Sequence, residues 1–151
     1  MIKVRQVSNK DNTDIFLWRN DKITRKMSHS SDLVDRNLHD NWFFSSLLDK
    51  SKLLLLCEDE RTHEKIGIVH FKLESTRATV SINLNPKMRG KAFAAKCLLA
   101  AIQHFKTKFP QIERIDAEIK KVNIASEIAF KRAGFNLSWA NDELLYYEFV
   151  F

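Results

Sequence analysis

From residue 79 onward the sequence changes period in a way that few folds accommodate. Thr79 to Asn85 alternates, with Val80, Ile82 and Leu84 on one side and Thr79, Ser81, Asn83 and Asn85 on the other. That is the two-residue period of a strand. Pro86 ends it, because proline has no N–H to give a ladder. After a basic stretch of small residues, Phe93, Cys97, Ala101 and Phe105 recur every four positions. They form one stripe of a helix reading roughly Gly90 to Lys106. A second strand follows at Ile112 to Ile119, so the segment reads as a βαβ unit.

The flanking segments fit around that unit. Ile2 to Val7 alternates as a short strand, and Asp14 to Asn20 reads as a helix. Asp35 to Leu48 is a second helix carrying Leu38, Trp42, Phe43, Leu47 and Leu48, with SHSSDL as the loop before it. Leu53 to Cys57 is a continuous apolar run, the pattern of a strand covered on both faces. Ile66 to Leu73 is the next strand. Asn123 to Arg132 reads as a helix with Ile124, Ile128 and Ala129 on its apolar side, stopped by a left-handed Gly134. Strands at Phe135 to Leu137 and Glu143 to Phe151 complete the order βααβββαβαββ. This order specifies an α/β fold, a mixed and mostly antiparallel sheet of about seven strands with helices on both faces. No repeat or linker divides residues 1–151, so one domain is expected.

Composition narrows the function. The 44% hydrophobic and 11% aromatic content supplies a core, which excludes a disordered chain. Cys57 and Cys97 lie in apolar stretches, where neither a disulfide framework nor a nucleophilic thiol is expected. The histidines are scattered without ligand spacing, so no metal site is expected. No apolar run is long enough to cross a bilayer, and the start is charged, which points to a cytoplasmic protein without membrane association. Lys and Arg number 25 against 19 Asp and Glu, a net charge of +6. That excess fits anionic partners and equally a solvated surface; because the basic residues are dispersed, nucleic acid is not the expected partner.

The strand–helix junction carries the chemistry. The first N–H groups of a helix lack partners and the helix dipole favours an anion there. Gly90, Ala92 and Ala94 would let a phosphate approach the backbone, with Lys87, Arg89 and Lys91 around it. An ordinary turn with surface charges is the alternative.

Arg89 to Ala94, RGKAFA, resembles the acetyl-CoA signature Q/R-x-x-G-x-G/A of the GNAT N-acetyltransferases, with Ala92 where glycine is usual. That alanine is tolerable where the position has an ordinary helical φ. Asn123 to Ser126 followed by AFKRAGF resembles the family's second signature. Trp18-Arg19-Asn20, Arg25, Met27 and His39-x-x-Trp42-Phe43 look like the RimJ/RimL-type members, and within them like enzymes that acetylate nucleotide-linked amino sugars.

The resemblance implies an acetyl-CoA-dependent transfer of acetyl to a primary amine. It implies that the pantetheine lies along the fourth strand near Ile82, with the Leu84 N–H on the thioester oxygen. Arg89, Gly90, Lys91, Ala92, Phe93 and Ala94 would hold the diphosphate, with Asn123, Ser126 and Phe130 beside it. Phe130 stands where many members place a tyrosine that protonates the thiolate, a role for which Tyr146 or Tyr147 is the substitute. Glu118, His70 and His39 are the candidate bases, and Arg19, Arg25, Met27 and His39 the candidate acceptor contacts. The preferred acceptor is a nucleotide-linked amino sugar. A protein N-terminal amine is the runner-up, and a non-catalytic CoA- or nucleic-acid-binding domain the third reading. A monomer or a homodimer is expected.

Overall fold

The computed structural model describes residues 1–151. The strands are β1 (Ile2–Gln6), β2 (Lys52–Asp59), β3 (Lys65–Glu74), β4 (Arg77–Leu84), β5 (Arg114–Lys120), β6 (Asn136–Ala140) and β7 (Leu144–Val150). They form one sheet in the order β1-β2-β3-β4-β5-β7-β6. All neighbours are antiparallel except β4 and β5, which the long helix connects. The helices are α1 (Asn12–Arg19), α2 (Lys22–Met27), α3 (Arg36–Leu48), α4 (Phe93–Lys108) and α5 (Ile124–Arg132).

Each face of the sheet is covered for a reason visible along β2. Leu53, Leu55 and Cys57 pack with Cys97, Ala101 and Phe105 of α4 and Phe130 of α5. Leu54 and Leu56 turn to the other side, against Ile15 and Trp18 of α1 and Phe43 of α3. A leucine buried in this way contributes about 1.5–3 kcal/mol. Phe71 and Phe105 stack across the first core at 4.3 Å. Both cysteines are fully buried there, and the Cys57 thiol is pushed up by its hydrogen bond with Cys97 and by burial.

Three expectations need correction. The segment after Asn20 contains α2, which has no buried side chain and starts because the Asp21 carboxylate accepts the N–H groups of Ile23 and Thr24. Helix α4 begins at Phe93 rather than Gly90, because Gly90 and Ala92 are left-handed. Leu38 and Leu48 of α3 are exposed; only Phe43 of its apolar set is fully buried.

Candidate active site

Between β4 and β5 the sheet comes apart. The two strands are in register only at Arg77–Arg114, Ala78–Ile115 and Thr79–Asp116, whereas β4 stays paired with β3 as far as Leu84. Asn85 donates its N–H to the Ile66 carbonyl at 2.8 Å. Antiparallel backbone groups alternate in direction, so the N–H groups of Ile82 and Leu84 point away from β3 and into the opening. Gly67 permits the tight pairing behind them. A Cβ on it would lie 2.8 Å from the Asn83 carbonyl oxygen and 2.9 Å from Leu84 Cδ2.

On one side of the opening lies a cavity of about 780 Å³. Its walls are Ile82 and Leu84, the turn into α4, and Asn123, Ser126 and Ile128 of α5; Thr24 and Met27 of α2 close it. Along the turn, Gly90 has φ 73° and Ala92 φ 61°. The six backbone N–H groups from Gly90 to Ala95 find no acceptor in the chain. Ala92 has no side-chain oxygen to cap them, so a row of donors faces outward at the positive end of a 16-residue helix.

On the other side, bordered by His29 in the loop after α2, lies a groove of about 600 Å³. Its floor carries His70, Lys72, Thr79 and Ser81, and its far wall Glu118, Tyr146 and Trp139. Ser81 borders both spaces, so they meet at the opening. Tyr146 donates its hydroxyl to Glu118 at 3.4 Å, His29 lies 3.6 Å from the same carboxylate, and Trp139 packs on Tyr146 at 4.9 Å. Burial, then the Glu118 charge, raises the Tyr146 phenol above its ordinary value and keeps it protonated at neutral pH. His70 has a buried Nε2 without a partner. Its burial, then Lys52 and Lys72, holds its pKa down at about 4.

The sequence matches the acetyltransferase (GNAT) domain family over residues 2–136. The chain belongs to the GNAT acetyltransferases. It is an N-acetyltransferase that takes its acetyl group from acetyl-CoA. The fold is similar to that of spermidine N-acetyltransferase from Vibrio cholerae in complex with CoA and spermine, with a TM-score of 0.86 and 15% identity over 99% of this chain and 95% of that one. A domain from Methanocaldococcus jannaschii gives 0.85 and 19% over 100% and 99%. The aminoglycoside acetyltransferase AAC(6')-Ib in complex with coenzyme A and kanamycin gives 0.79 and 15% over 99% and 95%. No curated protein matches by sequence.

In this GNAT enzyme the residues singled out from the sequence separate into three groups. Ile82, Leu84, Arg89, Gly90, Ala92, Phe93, Ala94, Asn123 and Ser126 all border the larger cavity. Lys91 is exposed and outside its wall. Asn123 also caps α5, accepting the Ser126 N–H at 3.1 Å. Glu118, His70 and Tyr146 meet in the groove. Arg19 and Met27, expected as acceptor contacts, line the larger cavity instead.

The third group is turned inward. Phe130 is buried against Phe135 at 4.9 Å and borders neither space, because α5 directs that face into the core. His39 is fully buried, its Nε2 2.8 Å from Asn12 Oδ1, so it serves neither as a base nor as an acceptor contact. Arg25 donates to the carbonyls of Asn20 and Ser31 and so holds the loop after α2. Tyr147 borders the groove but is buried, and its hydroxyl is taken up by Glu127.

Two features of the turn depart from expectation. Arg89 reaches backward rather than into the turn: it pairs with Asp21 and donates to Thr24 Oγ1 at 2.7 Å, which ties α2 to the start of α4. Ala92 is left-handed, not helical, a conformation that costs a residue with a Cβ roughly 1–2 kcal/mol. Ala92→Gly is therefore expected to stabilise the protein by about 1 kcal/mol and to raise Tm by roughly 2–4 °C in a melting curve. A lower Tm would mean that the turn has another backbone. Ile124 and Ile128, expected in the core with Ala129, are exposed and line the cavity.

Proposed function

We propose that residues 1–151 act as one catalytic domain that acetylates the primary amine of a small molecule held in the Glu118 groove. The observation that carries this reading is the opening between β4 and β5, where the cavity and the groove share Ser81. The larger cavity suits acetyl-CoA on three counts. Six N–H donors suit a diphosphate, the free edge of β4 suits an extended amide chain, and Ile82, Ile124 and Ile128 suit its methylenes.

Bound there, acetyl-CoA supplies an acyl thioester, and the remaining work falls to the chain. The Leu84 N–H, directed into the opening, donates to the carbonyl oxygen as charge builds on it. Glu118 takes the amine proton, so that the nitrogen attacks with its lone pair free. Tyr146, protonated and bonded to Glu118, returns a proton to the departing sulfur, the part that Phe130 cannot play. His70, with a pKa near 4, is too weak a base to deprotonate an ammonium.

The acceptor contacts expected for a nucleotide-linked amino sugar, Arg19, Arg25, Met27 and His39, all lie outside the groove. A small-molecule amine is preferred to such a sugar and to a protein N-terminus. Glu118→Gln is expected to lower kcat/KM at neutral pH by about 10²-fold with Tm unchanged. Thiol release from acetyl-CoA checks this, with small amines, a nucleotide-linked amino sugar and an N-terminal peptide as acceptors. An unchanged rate would remove Glu118 from the reaction, and turnover of the peptide alone would overturn the small-molecule reading.

A further inference from the structure

The floor of the groove carries a lysine that no ion pair of the fold engages. Lys52 on β2 and Lys72 on β3 stand directly opposite each other, and like charges so placed destabilise an antiparallel pair. Neither belongs to an ion pair. Lys52 reaches only the Ser46 hydroxyl, at 3.4 Å, and Lys72 makes no side-chain bond at all. Of the acids near by, Asp49 bonds to the N–H and hydroxyl of Ser51 at 2.8 and 2.7 Å. Asp116 is held by Arg77 through two bonds of 2.9 and 2.7 Å.

A second, independent observation lies beside Lys72. His70, on the same face of β3, has a buried ring nitrogen that no group of the protein satisfies. A buried polar atom left unpaired in this way costs about 1–3 kcal/mol. Both side chains border the groove. His70 is paired across the strands with Ser81, where the two spaces meet, and Lys72 lies two residues farther along. The floor thus offers an ammonium, with a buried and unpaired imidazole nitrogen beside it, while the carboxylate of Glu118 stands on the opposite wall.

We propose that the acceptor is dipolar: besides its amine it carries an acidic group, a carboxylate or a phosphate, which Lys72 and His70 bind while Lys52 adds to the field. This rests on the Glu118 groove as the acceptor site. One strand spacing and two residues separate Ser81 from Lys72, roughly 8 Å between backbone positions, so the acid lies several bonds from the amine. Polycationic amines meet the same two lysines as repulsion.

Two measurements test this. In the first, thiol release is followed with matched acceptors, γ-aminobutyrate against butylamine and O-phosphoethanolamine against ethanolamine. The acid-bearing member of at least one pair is expected to have the lower KM, and Lys72→Gln to shrink that preference about tenfold. The pair that responds tells carboxylate from phosphate. A preference that survives Lys72→Gln, or one for the parent amines, overturns the proposal.

The second measurement needs no turnover. Acetate and inorganic phosphate are titrated into the protein at constant ionic strength while the His70 ring resonances are recorded. Saturable shifts in the wild type that Lys72→Gln abolishes support the site, and their absence with both anions overturns it. If none of the four amines is acetylated yet the shifts occur, the acceptor reading of the groove fails while the anion site stands.

Discussion

Replacing Leu84 by proline is expected to lower kcat by about 10²–10³-fold, the usual loss when one donor to a developing oxyanion is removed. The substitution is selective because of where that N–H points. The Asn85 N–H bonds to Ile66, so the Leu84 N–H faces the gap with β5 and takes no part in the β3 ladder. Proline thus deletes a donor to the substrate without deleting a sheet hydrogen bond. Asn83 before it is already extended, as a residue preceding proline must be. Gly67, directly across the pair, has no Cβ to obstruct the ring.

Leu84→Val, which keeps the N–H, should remain within a few-fold of wild type in kcat. Calorimetry on both variants checks that coenzyme A still binds, since the donors from Gly90 to Ala95 are untouched. A proline variant that binds coenzyme A and turns over at the wild-type rate would remove the backbone donor from the mechanism. Phe130, by contrast, has no route to the reaction, because its ring is buried against Phe135.

The fold was largely legible because its periods are strong. The alternation of Thr79 to Asn85 and the four-residue repeat of α4 each report a face that is buried, and β2 reads as apolar from Leu53 to Cys57 because both its faces are buried there. The missed element, α2, has no apolar stripe; its cap and its Arg89 partner hold it in place, and that partner is 68 residues away. In α5 the period was correct and its meaning divided. Ala129 and Phe130 enter the core, whereas Ile124 and Ile128 line a cavity. An apolar stripe on a helix reads the same whether protein or a ligand covers it.

The site was legible where backbone carries it and obscure where side chains choose partners. The spacing of Arg89, Gly90 and Ala94 marks the turn, yet the positive φ of Ala92 is a tertiary outcome. Arg25 and His39 look like substrate contacts in sequence, but carbonyls of the loop and the amide of Asn12 take them first. Lys72 carries no signal in the sequence, since one lysine on a strand is ordinary. Its meaning comes from Lys52 opposite it and His70 beside it.

The largest loss of stability is expected from Asp11→Ala, about 3 kcal/mol, because the change strands two cations around a fully buried carboxylate. Asp11 receives Arg5 through bonds of 2.8 and 2.9 Å, Lys65 at 2.9 Å and the Ser8 N–H at 2.8 Å. It thereby joins β1, the turn before α1 and β3 on the edge of the sheet away from the groove. Glu58 and Asp14 still meet Arg5 and Lys65 after the change, which holds the loss to the lower end for a buried pair. Burial opposes ionisation of Asp11, but the bonds from Arg5, Ser8 and Lys65 outweigh it and hold the carboxyl well below the usual carboxylate range. A depressed carboxylate stabilises the fold above its unfolded pKa, and that contribution declines as pH falls from about 4 toward the folded value. Urea midpoints of wild type and Asp11→Ala are therefore expected to lie far apart at pH 7 and to converge below pH 4. A gap that stays constant with pH would mean that the lost packing of the side chain, rather than its charge, sets the difference.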